Sequence, residues 1–125
     1  MIDGASPNSP KEDVYRIANQ ITKLCPDSII AVGGGSTIDA AKAAACLIPG
    51  NGLTADYFYK RTEITGKGLF MAALPTTAGT GAEITKNAVL TDPVTKIKQS
   101  LRHDTMVPDL ALVDPLLTLS NPPEL

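Results

Sequence analysis

The sequence predicts an α/β fold: a parallel sheet with flanking helices and a β-hairpin. Three observations predict it. Two short runs, Ser28–Val32 (SIIAV) and Leu69–Leu74 (LFMAAL), are almost wholly apolar, as strands covered on both faces are. A segment with helical apolar spacing precedes the first run, and three glycines and a second helical segment follow it, which is the rhythm of a parallel α/β sheet. Further along, two extended runs flank the proline-containing turn Asp92–Thr95, which reads as a hairpin.

The elements follow in order. Ser9, Pro10, Lys11 and Glu12 announce the first helix with a cap hydroxyl, a proline at the first helical position and a carboxylate at the third. Val14, Ile17, Ala18, Ile21 and Leu24 give it one apolar face, and Pro26 stops it. After Ser28–Val32 and the glycines, the second helix is expected from about Thr37 to Leu47. Asn51–Gly68 is polar and irregular, a surface excursion. Pro75 ends the second strand, and Thr76–Thr85 reads as a loop or a short helix start. Lys86–Thr91 and Lys96–Leu101 make the hairpin, and Leu110–Val113 is a last short strand closed by Asp114 and Pro115. Ser120–Glu124 (SNPPE) carries another helix-start signal with no helix after it. That points to a piece of a longer chain; a frayed proline-rich tail is the other reading.

The 125 residues supply one modest domain, and 43% apolar against 19% charged residues allow it a core. Eleven Lys and Arg against thirteen Asp and Glu leave a net charge of −2, without the basic excess a nucleic-acid binder needs. Aromatics at 4%, with no Trp, argue against base-stacking platforms. No run is long enough to span a membrane: the stretch from Ala40 to Ile48 is interrupted by Lys42. Nor does the N-terminus read as a signal peptide. Cys25 and Cys46, both in helical stretches, are no disulfide framework, and read as small buried residues of a cytoplasmic protein.

The strongest chemical signal is GGGSTIDAAK, Gly33–Lys42. Between a buried strand and a helix, it offers backbone N–H groups at a helix N-terminus, a cradle for phosphate. A plain tight turn is the alternative. Ser36 and Asp39 have the spacing of a capping box. The segment is neither the dinucleotide GxGxxG nor a P-loop. PTTAGTGAEIT, Pro75–Thr85, adds hydroxyls at Thr76, Thr77 and Thr80 after a second strand. Two such loops could hold opposite ends of one extended ligand at the carboxyl edge of the sheet. Lys98, on the hairpin, reads by default as a solvated lysine.

The PNSP segment, GGGSTIDAAK, PTTAGTGAEIT and the run from Lys98 through RHDTMVPDLALVDP to the final PPEL together resemble the iron-dependent (group III) alcohol dehydrogenases, relatives of glycerol dehydrogenase and dehydroquinate synthase. The resemblance covers nearly the whole chain. It implies a Rossmann-like, dehydroquinate synthase-like fold, incomplete at both ends, with residues 1–125 forming part of an NAD(P)-binding α/β domain. It also implies roles. Gly34, Gly35 and Ser36, with Thr37 and Asp39 behind them, match the family's pyrophosphate loop. Thr76, Thr77 and Thr80 match hydroxyls on the adenine and ribose side. Lys98 matches a lysine that reaches a cofactor ribose, Val89 lines the same cleft, and Asn8 matches an asparagine near the cofactor. Family members oxidise a small alcohol or reduce an aldehyde with a divalent metal, usually iron and sometimes zinc, held by one Asp and three His of a helical C-terminal domain.

The chain departs from that pattern in its metal ligands. It has one histidine, His103, which matches no ligand, so the metal and the helical domain are expected only in a full-length protein. Catalytic residues are therefore not assignable here. The expected function is the cofactor-binding part of a homo-oligomeric alcohol dehydrogenase. A stand-alone nucleotide-binding module or an inactive truncated product is the alternative.

Overall fold

Helix α1 (Lys11–Leu24) buries Val14, Ile17, Ala18 and Ile21, the face its spacing predicts; Leu24, at its end, is exposed. The computed structural model describes residues 1–47, 54–60 and 63–125 of the chain. Burying a valine or isoleucine side chain contributes about 1.5–3 kcal/mol. Ser9 is not the cap. Pro10 takes that position without a side-chain bond, because Ser9, at φ 44°, turns its hydroxyl away to donate to the Ser36 carbonyl. At the other end Cys25 closes the helix in the left-handed conformation and is exposed, contrary to the buried role expected of it.

Strand β1 (Ser28–Gly33) leads into helix α2 (Gly35–Leu47), which starts two residues earlier than predicted. A short helix α3 (Thr54–Phe58) follows, then β2 (Phe70–Pro75), β3 (Asn87–Asp92), β4 (Ile97–Arg102) and β5 (Leu110–Ala111). The stretch Asn51–Gly68, expected to be an irregular surface excursion, instead buries Tyr57 and Phe58 of α3 in the core; residues 51–53, 61 and 62 of it lie outside the described residues. A 3₁₀ turn over Pro115–Thr118 precedes the tail, and Asn121 donates to the Thr76 carbonyl at 2.7 Å.

The strands form a parallel sheet ordered β1-β2-β5 and a separate antiparallel pair β3-β4. The hairpin turn is built by Asp92, whose Oδ1 accepts from the amides of Val94 and Thr95, with Lys96 at positive φ. Helix α2 lies between the two layers. On one side Ile38 and Ala41 pack on Ala31, Met71 and Ala73 of the sheet. On the other, Ala40, Ala43, Ala44 and Leu47 meet α1, α3 and the hairpin residues Ala88, Leu90 and Leu101. A helix pressed from two sides must carry small residues most of the way round, which accounts for its run of alanines.

Ile30 and Val32 of β1 are more than half exposed, so the prediction of burial on both faces fails for Ser28–Val32. In β2 Phe70 is exposed but Met71, Ala72 and Ala73 are all buried, so the middle of Leu69–Leu74 is covered on both faces. Helix α2 packs on the face where Ala31, Met71 and Ala73 point, and α1 and α3 lie beyond it.

Candidate functional site

Gly33 and Pro75 are register partners at the carboxyl ends of β1 and β2, so the loops that follow leave the same edge of the sheet. They are in contact. The Thr76 amide donates to the Gly33 carbonyl at 2.9 Å, and a β-carbon on Gly34 would lie 3.2 Å from Thr77 Oγ1. At Gly35 it would lie 2.8 Å from Thr80 Cγ2 and 2.9 Å from its Oγ1, so only glycine fits there. The first bond of α2 runs from the Ile38 amide to the Gly34 carbonyl at 3.1 Å. The amides of the preceding turn have no intrahelical partner and form the positive end of the helix dipole.

Because α2 begins at Gly35, Ser36 lies inside its first turn, and the capping box expected of Ser36 and Asp39 does not form. Ser36 Oγ accepts from the Asn8 amide at 3.1 Å instead, and Asp39 Oδ2 accepts from the Val89 amide of β3 at 3.0 Å. Both side chains join distant parts of the chain rather than closing their own helix.

A cleft of about 420 Å³ results, walled by the glycine loop, the 80–85 segment, the hairpin and the PNSP turn. The PNSP turn is held in an unusual shape, with Asn8 at φ 66° and Ser9 at φ 44°. Such conformations cost about 1–3 kcal/mol in non-glycine residues and persist where the surroundings enforce them. Buried Ser9 supplies the enforcement: its hydroxyl donates to the Ser36 carbonyl at 2.7 Å and its carbonyl accepts from the Thr91 amide at 3.1 Å. Across the cleft Lys98 Nζ donates to Asn8 Oδ1 at 3.1 Å.

Seven of the residues singled out in the sequence thus line one cavity: Asn8, Gly35, Ser36, Asp39, Thr80, Val89 and Lys98. Gly34 and Thr77 meet just behind it, and Thr76 joins the two loops through its backbone. Thr37 does not reach it. One residue further round the helix than Ser36, it packs against Gly33 and Gly4 and faces an apolar hollow beside β1.

Lys42, which in the sequence merely interrupts an apolar run, is the residue that sequence reasoning passed over. Its side chain is fully buried. The ammonium donates to the Ala82 carbonyl at 2.8 Å and to the Thr85 carbonyl and hydroxyl, both at 3.1 Å, and lies 3.3 Å from Asp39 Oδ1. Burial pushes the lysine's pKa down, against the pull of the Asp39 charge. Burial likewise pushes the Asp39 carboxyl up, against the Val89 amide and Lys42. The signal was present in the sequence as a lysine one turn after an aspartate amid alanines.

Helix-terminal amides, the Lys98 ammonium and the hydroxyls of Ser36 and Thr80 in one cleft can bind an anion flanked by sugar hydroxyls. The family description "Iron-containing alcohol dehydrogenase" matches residues 1–115. The chain belongs to the iron-containing alcohol dehydrogenase family. It is 38% identical over 128 residues to the NADPH-dependent butanol dehydrogenase of Clostridium saccharobutylicum, covering 100% of this chain and 33% of that protein. With long-chain-alcohol dehydrogenase 1 of Geobacillus thermodenitrificans it shares 45% over 103 residues, 78% of this chain and 25% of the relative.

Among solved structures, the sulfoacetaldehyde reductase of Bifidobacterium kashiwanohense in complex with NAD+ superposes with a TM-score of 0.90 at 40% identity, over 96% of this chain and 32% of that one. The NADH-dependent butanol dehydrogenase A of Thermotoga maritima gives 0.91 at 29% identity, over 98% and 31%. The fold is therefore the Rossmann-like α/β fold of iron-containing alcohol dehydrogenases, and the chain spans about a third or less of the relatives it matches.

Among the described residues no three His, Cys, Asp or Glu side chains gather where they could hold an ion. His103 caps the following 3₁₀ turn, its Nδ1 within 2.8 Å of Thr105 Oγ1. The cleft, by contrast, suits the phosphates of a nicotinamide dinucleotide: it is lined by Gly35 and Ser36 at the N-terminus of α2, where Gly35 lets the Thr80 side chain close against the helix.

Proposed function

We propose that this chain carries the cofactor-binding part of an NAD(P)-dependent alcohol dehydrogenase. In this reading the amides around Gly34, Gly35 and Ser36 hold the pyrophosphate. Asn8, Val89 and Lys98 serve the ribose on the hairpin side, and Thr76, Thr77 and Thr80 the adenine side. Asp39 sits at the back of the pyrophosphate loop, and Thr37 braces that loop from outside. The observation that carries the reading is the single cleft into which two loops after parallel strands, the start of α2 and Lys98 all face.

Hydride exchange with a small alcohol or aldehyde belongs to the whole protein, a cytoplasmic homo-oligomer. There a helical domain outside these 125 residues holds the metal, iron or zinc. The relatives' lengths support this division: the chain spans 33% of the butanol dehydrogenase and 32% of the sulfoacetaldehyde reductase it matches. This chain's own task is to bind and orient the dinucleotide.

The test is titration of the 125-residue chain with NADH and NADPH, followed by nucleotide fluorescence, beside the Ser36→Asp variant. Saturable binding that Ser36→Asp weakens about tenfold or more is expected, because a carboxylate facing the pyrophosphate repels it. Equal affinity of the two proteins would remove the pyrophosphate assignment. Binding with no metal-dependent turnover even when joined to the rest of the polypeptide would favour a stand-alone nucleotide-binding module.

A further inference from the structure

Three walls of the cleft meet at one buried cation. The start of α2 carries Asp39 and, one turn later, Lys42. The 80–85 segment presents the carbonyls of Ala82 and Thr85 and the Thr85 hydroxyl to Lys42 Nζ. Strand β3 reaches the same centre through the Val89 amide, which donates to the Asp39 oxygen that Lys42 leaves free. From this geometry we propose that Lys42 is a positioning residue for the dinucleotide: it sets the spacing between the glycine loop, the Thr80 segment and the hairpin so that one ligand can touch all three. The proposal rests on the dinucleotide reading of the cleft.

Stability alone is a poor reason for this lysine. An ammonium taken wholly out of water loses its hydration, and an apolar side chain of similar volume usually serves a core as well or better. Ala40, Ala41, Ala43 and Ala44 around it show that this part of α2 packs on small apolar residues. What a methyl-ended side chain cannot do is direct three acceptors from a separate loop and one carboxylate toward a single point. Removing it frees the 82–85 carbonyls from α2 and lets Asp39 turn from β3. The Lys42 side chain is fully buried, so its effect on a ligand passes through Asp39, Ala82 and Thr85, which line the cleft, and through Val89, which Asp39 holds.

The experiment compares the wild-type chain with Lys42→Met, which keeps length and packing but removes the charge and donors. NADH affinity and backbone amide exchange at Val89 and residues 82–85 are both measured. The expected result is a folded variant that binds NADH tenfold or more weakly and exchanges faster at those amides than wild type. A further variant, Lys42→Met with Thr80→Val, should bind little worse than the poorer single variant, because both act on the same wall. A folded Lys42→Met with wild-type affinity overturns the proposal, as does weakened binding with unchanged exchange. If Lys42→Met does not fold, Lys42→Gln, which keeps a donor for the loop carbonyls, is judged by the same two readouts. A wild-type chain that fails to bind NADH would sink the dinucleotide reading; the exchange data would then still decide whether Lys42 ties the walls together.

Discussion

A β-carbon on Gly35 would stand 2.8 Å from Cγ2 of Thr80 and 3.2 Å from its β-carbon. Rotating the threonine brings no relief, since both of its γ atoms are within 2.9 Å and its own β-carbon is nearly as close. Gly35→Ala therefore has to push the 80–85 segment away from α2. The expected loss is about 1–3 kcal/mol of stability, the usual cost of overpacking, together with weaker NADH binding. Adding Thr80→Ala, which removes both γ atoms, should return much of the stability. Thermal melts of the single and double variants check this; an unaffected single variant would mean that the two loops are not in contact.

How much of this was legible in the sequence depends on the range of the interaction. Val14, Ile17, Ala18 and Ile21 repeat with the helix and were readable as one face. The hairpin lies within a residue of its predicted limits because its turn is local, built by Asp92 on its own neighbours. Ser9 has the local marks of a cap yet bonds to Ser36, and Asp39 has those of a capping box yet bonds to Val89, fifty positions on. Lys42 looked like a blemish in an apolar run for the same reason: its acceptors at Ala82 and Thr85 are about forty residues away. Local patterns carry propensity. They do not carry which of two competing partners a hydroxyl or carboxylate will take in the folded chain. Lys98 was a surface lysine on pattern alone, and family resemblance assigned it to the cofactor. In the structure it lines the cleft beside Asn8.

Thr37 and Ser36 are adjacent in the glycine motif, yet they point to different sides of α2. Thr37→Val keeps the shape against Gly33 and Gly4 and removes only a hydroxyl outside the cleft. NADH affinity should stay within about twofold, the scale of a substitution that touches no special feature. Lys98→Ala, by contrast, should weaken binding several-fold by removing a cation from the cleft wall. A Thr37→Val variant that binds as poorly as Lys98→Ala would show that the helix presents a different face to the nucleotide.

Asp92 joins the hairpin turn to α1 and to Tyr59, just past α3, and gives the fold a predictable acid sensitivity. Its carboxylate accepts from the Tyr59 hydroxyl, from the Val94 amide at 2.9 Å and the Thr95 amide at 3.3 Å, and lies 3.5 Å from Lys11 Nζ. The Tyr59 hydroxyl foremost, with those amides and Lys11, holds its pKa down at about 2, below the ordinary 3.8. A carboxyl whose pKa is lower in the folded chain favours folding while it is ionised, so its stabilisation is present above about pH 4 and is lost as pH falls toward 2. Asp13, Asp104 and Asp109 are also held below their ordinary value, so the acid limb of the wild-type chain is shared among several groups. Asp92→Asn isolates one of them, keeping an acceptor for the turn amides while removing the charge. Urea unfolding at a series of pH values should show the variant less stable than wild type at pH 7, with the gap closing as the pH drops through that window. A gap that stayed constant down to the lowest pH would mean that the loss comes from the altered turn and not from the ionised carboxylate.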